Sequence, residues 1–113
     1  MSIKSFFAIP FAKQATKQVY KWANNPHKTQ EKVFKKLISS AKNTAFGKDH
    51  DFSSIKNYSD FKNRVKVQDY EGLRPYVDRI VAGEKDVLWK GKPIYFAKTS
   101  GTTSGAKYIP ITK

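Results

Sequence analysis

The stretch "YFAKTSGTTSGAKYIPITK", residues 95 to 113, sets two apolar segments on either side of a polar one. Eight of the nine residues from Thr99 to Lys107 are Gly, Ser, Thr or Lys. A tight hairpin turn takes about two to five residues, and Asn, Asp, Gly and Pro are its usual choices. This segment is longer than that and rich in hydroxyls. Its flanks, "PIYFA" at 93 to 97 and "YIPIT" at 108 to 112, are β-branched and aromatic, and Pro110 argues against a helix after the loop. The spacing therefore predicts strand, loop, strand. That excludes a phosphate loop of the Walker type, which runs into a helix and ends in Gly-Lys-Ser/Thr, whereas here Ala106 separates Gly105 from Lys107.

The loop's chemistry leaves two readings open. Gly101 and Gly105 let the backbone bend and bring its N–H groups close to an anion. The hydroxyls of Thr99, Ser100, Thr102, Thr103 and Ser104 add donors, and Lys107 adds a positive charge. A flexible hairpin loop would have the same composition, so on these residues alone phosphate cradle and plain loop stand level.

Upstream, "DYEGLRPYVDRIVAGE" at 69 to 84 carries Leu73, Tyr76, Val77, Ile80 and Val81 at helical spacing, with Asp69 at its start and Gly83 as its stop. Ser59 is the expected cap of a brief helix through Phe61 and Val65. The aromatic residues of this region read as core. Val87, Leu88 and Trp89 continue the apolar surface before a Lys-Gly-Lys-Pro turn.

Two further helices are expected nearer the N-terminus. Phe11, Ala15, Val19 and Trp22 share one helical face, and Lys13, Lys17 and Lys21 form a ridge of their own. Asn24-Asn25-Pro26 ends this helix, and Asn25 or Pro26 opens the next. There Val33, Phe34, Leu37, Ile38 and Ala41 make the apolar stripe, and Gly47 in "NTAFGKDH" is expected to close the helix in a left-handed conformation.

Composition bounds the rest. The 113 residues are 39% hydrophobic, with eight Phe, six Tyr and two Trp, which suits a globular domain or a piece of a larger one. No run approaches the roughly twenty apolar residues of a membrane span, and the opening "MSIKSFFAIPFAKQ" lacks the pattern of a secretory signal; a cytoplasmic location is expected. The sequence has no Cys and only His27 and His50, so neither a disulfide nor a metal cluster is expected. The net charge is +13, and residues 1 to 48 hold ten lysines against the single acid Glu31. A basic amphipathic module on a membrane surface or nucleic acid is the alternative this charge raises. A solvated lysine face, with the aromatic stripe packed inward, explains it better: no Arg precedes Arg64, and Arg is the usual choice for phosphate forks and base edges.

Thr99-Ser100-Gly101-Thr102-Thr103-Ser104-Gly105-Ala106-Lys107 resembles the first signature of the adenylate-forming enzymes, with Ser104 where many members have Gly and Ala106 where they have Pro. The form "TSGTTSGAKYIP" is similar to that of the auxin-responsive promoter family (GH-three), the acyl acid amido synthetases, in its bacterial branch. The segments "NTAFGKDH" at 43 to 50, "YSDFKNRVKVQDYEGLRPYVDRIVAGE" at 58 to 84 and "LWKGKPIYFAKTSGTTSG" at 88 to 105 extend the resemblance.

The resemblance implies an α/β fold, of which residues 1 to 113 would be the N-terminal part: helices, then a strand-loop-strand hairpin, at the start of the large N-terminal domain. It implies a ligase that uses ATP and Mg2+ to activate a carboxylic acid as an acyl-adenylate and transfers it to an amino acid. Thr99, Ser100, Gly101, Thr102, Thr103, Ser104, Gly105 and Lys107 would be the nucleotide-binding set, with no catalytic nucleophile and no protein metal ligand. Family members are several times longer, so this chain alone is expected not to turn over and to need the remainder of a longer polypeptide.

Overall fold

The computed structural model describes residues 3–101 and 105–112. They form five α-helices, one 3-10 turn and one antiparallel hairpin. The helices are α1 (Ile3–Ala23), α2 (Pro26–Ala41), α3 (Ala45–Asp49), α4 (Tyr58–Arg64) and α5 (Tyr70–Val81), and the strands are β1 (Tyr95–Lys98) and β2 (Tyr108–Ile111). The expected plan of helices followed by a hairpin is the one observed. The chain divides into two compact units, Met1–Val33 and Phe34–Lys113, and the division falls within α2.

In the first unit, α1 begins well before Phe11 and runs through Pro10, whose ring nitrogen has no hydrogen to give the preceding turn. Phe6, Phe7, Phe11, Val19 and Trp22 are all exposed. The α1–α2 junction follows its local chemistry. Pro26 occupies the first turn of α2, where a missing N–H costs nothing, and the Asn25 carbonyl accepts from Thr29 N–H at 3.0 Å.

The second unit is built on a small aromatic-rich core. Ile38 and Ala41 of α2 are buried with Phe52 and Ile55, and Phe34, Phe46, Phe61, Val65 and Trp89 close over them. Phe34 and Phe52 each meet the Phe61 ring, with centroids 5.9 and 6.1 Å apart; the first pair is edge to face. Val33 and Leu37, although on the expected stripe, remain about half exposed.

The turn between α2 and α3 differs from expectation. Gly47 has no left-handed backbone; it sits inside α3, and a Cβ there would overlap the Ala41 carbonyl. Its smallness serves close approach. Thr44, only 1% exposed, organises this turn: its hydroxyl donates to the Ala41 carbonyl at 2.7 Å and accepts from Gly47 N–H at 3.0 Å as the cap of α3. The next two α3 amides, of Ala45 and Phe46, donate to the carbonyls of Asp86 and Val87 at 2.8 and 3.0 Å. Those bonds tie residues separated by some forty positions into one body.

Caps set the other helices. Asn57, not Ser59, caps α4: its side chain accepts from Asp60 N–H at 3.0 Å, while the Asp60 carboxylate accepts from Lys56 N–H at 2.9 Å. Asp69 caps α5 as expected, accepting from Gly72 N–H at 3.2 Å. At the other end Gly83 takes φ +95°; its N–H reaches the Ile80 carbonyl, and Glu84 N–H reaches that of Arg79. This paired closure is what a left-handed glycine after a helix permits. Of the expected α5 stripe, Val77 and Ile80 are buried and Val81 is exposed.

Candidate phosphate-binding loop

The hairpin pairs Tyr95 with Ile111, Phe96 with Pro110, Ala97 with Ile109 and Lys98 with Tyr108. Pro110 fits this small sheet because it makes no demand for a ladder donor. Beyond the last pair the loop's neck is held twice: Thr99 N–H donates to the Lys107 carbonyl at 3.0 Å, and Lys107 N–H donates to the Thr99 hydroxyl at 3.3 Å. Thr99 thus spends its hydroxyl on the loop's own backbone.

One step further out, the two glycines meet. A Cβ on Gly101 would overlap the Gly105 carbonyl, so only glycine lets the strands of the loop come together there. Gly105 takes φ +79°, a left-handed conformation that side chains resist, and beyond it the chain turns back towards β2. Ser100, Gly101 and Gly105 are exposed, while Thr99 and Lys107 are half-buried. Of the eight residues the sequence singles out, the structure brings Thr99, Gly101, Gly105 and Lys107 together at a constricted neck with Ser100 beside them. Thr102, Thr103 and Ser104 lie outside the described residues.

A ninth residue belongs to this constellation. The Tyr70 hydroxyl, in the first turn of α5, accepts from Tyr108 N–H at 2.9 Å and donates to the Tyr108 carbonyl at 3.3 Å. The Lys107 ammonium stands 5.7 Å from the centre of the Tyr70 ring, within cation–π range. The reading of Tyr70 as one more core aromatic missed this, and nothing local in the sequence reveals a contact across 38 positions.

Behind the hairpin, Leu73, Val77 and Ile80 of α5 face Ile109 and Pro110 across an apolar hollow of about 320 Å³, which Trp89 also lines. It gives β2 an apolar backing. A second, polar cleft of about 700 Å³ lies among Ser40, Lys48, Arg79, Lys85 and Lys90. Its acidic groups are already engaged: Glu84 takes two hydrogen bonds from Arg79, at 2.8 and 2.6 Å, and Asp49 accepts from the Tyr76 hydroxyl at 2.8 Å. Partial burial, and then this bond to Asp49, push the Tyr76 phenol up from its ordinary value.

Helices followed by a hydroxyl- and glycine-rich loop between two antiparallel strands define the architecture. The family model for the GH3 family N-terminal domain matches residues 15–113, and the chain belongs to that family. It is 32% identical over 100 residues to indole-3-acetic acid-amido synthetase GH3.2 of Arabidopsis thaliana, an alignment covering 88% of this chain and 18% of that protein. Over 86 residues it is 32% identical to the jasmonoyl–L-amino acid synthetase JAR6 of Nicotiana attenuata, covering 74% of this chain and 15% of that protein. A shorter alignment of 55 residues is 44% identical to the probable indole-3-acetic acid-amido synthetase GH3.13 of Oryza sativa subsp. japonica, covering 47% and 12%. The chain therefore spans less than a fifth of the length of these relatives. Among the described residues no helix is long and apolar enough to cross a membrane.

Proposed function

We propose that this chain supplies the phosphate-holding loop of an ATP-dependent acid–amino acid ligase of the adenylate-forming kind, with its helices and hairpin at the start of that fold's large N-terminal domain. The observation that carries the reading is the loop neck, where Gly101 and Gly105 come together without side chains and Lys107 stands beside them. Glycines that let the loop's backbone close on itself, with the Ser100 hydroxyl and the Lys107 cation in the same loop, suit an approach to the triphosphate of ATP. The relatives named as an indole-3-acetic acid-amido synthetase and a jasmonoyl–L-amino acid synthetase support a carboxylic acid and an amino acid as the other substrates. The cytoplasm, where ATP and amino acids are abundant, is the proposed location.

In this reading the loop acts by binding and charge stabilisation. Gly101 and Gly105 present backbone N–H groups, Ser100, Thr102, Thr103 and Ser104 present hydroxyls, and Lys107 offsets charge. Attack of the acid's carboxylate oxygen on the α-phosphorus forms the acyl-adenylate and breaks the bond to the β-phosphate, so negative charge grows on the leaving pyrophosphate that these donors hold. Donors that tighten as this charge grows favour the transition state over the ground state. Mg2+, arriving with the triphosphate, would neutralise more of the same charge. The amine then attacks the acyl carbonyl and AMP leaves. None of this requires a side-chain nucleophile from the loop.

The test is titration of the chain with MgATP. Binding that moves the Gly101 and Gly105 amide resonances is expected, and Gly101→Ala should weaken it about tenfold or more, because the new methyl pries the neck open. Undiminished binding by Gly101→Ala, or no binding by the unaltered chain, would remove the loop from the phosphate site.

A further inference from the structure

We propose that Tyr70 is a positioning residue for this loop, one that sets where Lys107 delivers its charge; the inference rests on the phosphate-holding reading above. Tyr70 lies in the first turn of α5, directly after the capping Asp69, so its backbone is fixed by a helix whose other end is buried through Val77 and Ile80. From there one hydroxyl takes both backbone groups of Tyr108, accepting from its N–H at 2.9 Å and donating to its carbonyl at 3.3 Å.

The two bonds fix the peptide groups on either side of the Tyr108 Cα, the first of them shared with Lys107. Lys107 is thereby held from three directions: its carbonyl by Thr99 N–H, its own N–H by the Thr99 hydroxyl, and its C-terminal peptide by Tyr70. The Tyr70 ring meanwhile faces the Lys107 ammonium at 5.7 Å. A cation resting on an aromatic face is held weakly enough to leave for a phosphate and strongly enough to be kept near the neck until one arrives. A tyrosine serving the core alone would need neither arrangement.

Tyr70→Phe separates the parts, since it keeps the ring and removes both hydroxyl bonds. In the isotope-labelled chain, Tyr108 N–H should exchange with solvent about tenfold faster in the variant, as expected for the loss of one ordinary hydrogen bond. MgATP affinity, followed at the Gly101 and Gly105 amides, should fall about tenfold, with the resonances of α2 to α4 unmoved. The decisive comparison is made in a Lys107→Ala background. If Tyr70 acts through Lys107, adding Tyr70→Phe there should cost less than about twofold, because the charge it positions is gone.

An equal loss in both backgrounds would overturn the proposal, as would wild-type affinity in Tyr70→Phe. If Tyr70→Phe disturbs the helices, Tyr70→His, which keeps a ring and a polar tip, gives a second reading: partial recovery of affinity supports an anchoring role, and none overturns it. Failure of the unaltered chain to respond to MgATP would instead sink the phosphate-holding reading and this inference with it, whereas response without Tyr70 dependence sinks this inference alone.

Discussion

Thr44 carries more of the second unit than its size suggests. It is 1% exposed, caps α3 and satisfies the carbonyl at the end of α2, and the amides that follow it reach across to Asp86 and Val87. Thr44→Val keeps the volume and loses both side-chain bonds, leaving the buried Gly47 amide short of its partner while the Ala41 carbonyl keeps Thr44 N–H. A cost of about 2 kcal/mol is expected, read as a lower urea midpoint with unchanged slope. Gly47→Ala should cost at least as much, about 2 to 3 kcal/mol, because the Ala41 carbonyl it would strike is backbone that cannot swing aside.

Acid stability also belongs to individual residues. Hydrogen bonds from Ser54 and Ser53, and then the charge of Arg64, hold the Asp51 carboxyl below its ordinary value; the Arg79 fork does the same for Glu84. A carboxyl whose folded pKa is depressed is protonated first in the unfolded chain, so its stabilisation is complete above the ordinary carboxylate value and is lost as pH falls through the folded one. The melting temperature should therefore be insensitive to these groups at neutral pH and decline below roughly pH 4. Glu84→Gln should flatten part of that decline. Both pairs lie at the surface, so the effect is modest and shrinks with salt.

At the scale of elements, what was legible in the sequence is what is decided locally. Pro26 opens α2, Asp69 opens α5 and Gly83 closes it, since each acts on residues within a turn of itself. Asn57 caps α4 in place of the expected Ser59, and the bond from Lys56 N–H to the Asp60 carboxylate, three residues after Asn57, supports the earlier start. Gly47 and Tyr70 were misread for a common reason: the Ala41 carbonyl that requires the first, and the Tyr108 peptide that engages the second, become neighbours only through folding. The loop was legible as a motif, while the closeness of its two glycines was not.

The same scale decides the role of α1. Its exposed aromatic residues and lysines invite an interfacial reading, but a helix that lies in lipid needs its apolar residues on one side. Nine residues turn a helix by about two and a half turns, which puts Tyr20 on the opposite side from Phe11, and both are exposed. Without arginine, and with apolar groups on two sides, α1 makes a poor membrane anchor. Cosedimentation with anionic vesicles is expected to be negligible near physiological ionic strength; retention that falls steeply with added salt would reverse that view.

For the whole molecule, the proposed reaction is adenylation, and the share of its relatives that the chain spans bears on how much of it the chain can perform. The chain aligns with 18% of the Arabidopsis relative, and the residues that the family model matches, 15–113, include both strands and the neck. In the proposed reading, holding phosphates draws on this neck and its support from α5, whereas activating an acid also needs a surface that aligns a carboxylate with the α-phosphorus. These demands separate in one assay. With MgATP, a panel of carboxylic acids including indole-3-acetic and jasmonic acid, and radiolabelled pyrophosphate, the 113-residue chain is expected to bind nucleotide without passing label into ATP. Binding without exchange would make the hairpin a self-contained phosphate holder whose chemistry is completed by further protein. Acid-dependent exchange that disappears in Gly101→Ala would move the whole first half-reaction onto these residues, and the apolar hollow behind β2, at about 320 Å³, would become the first place to look for the acid.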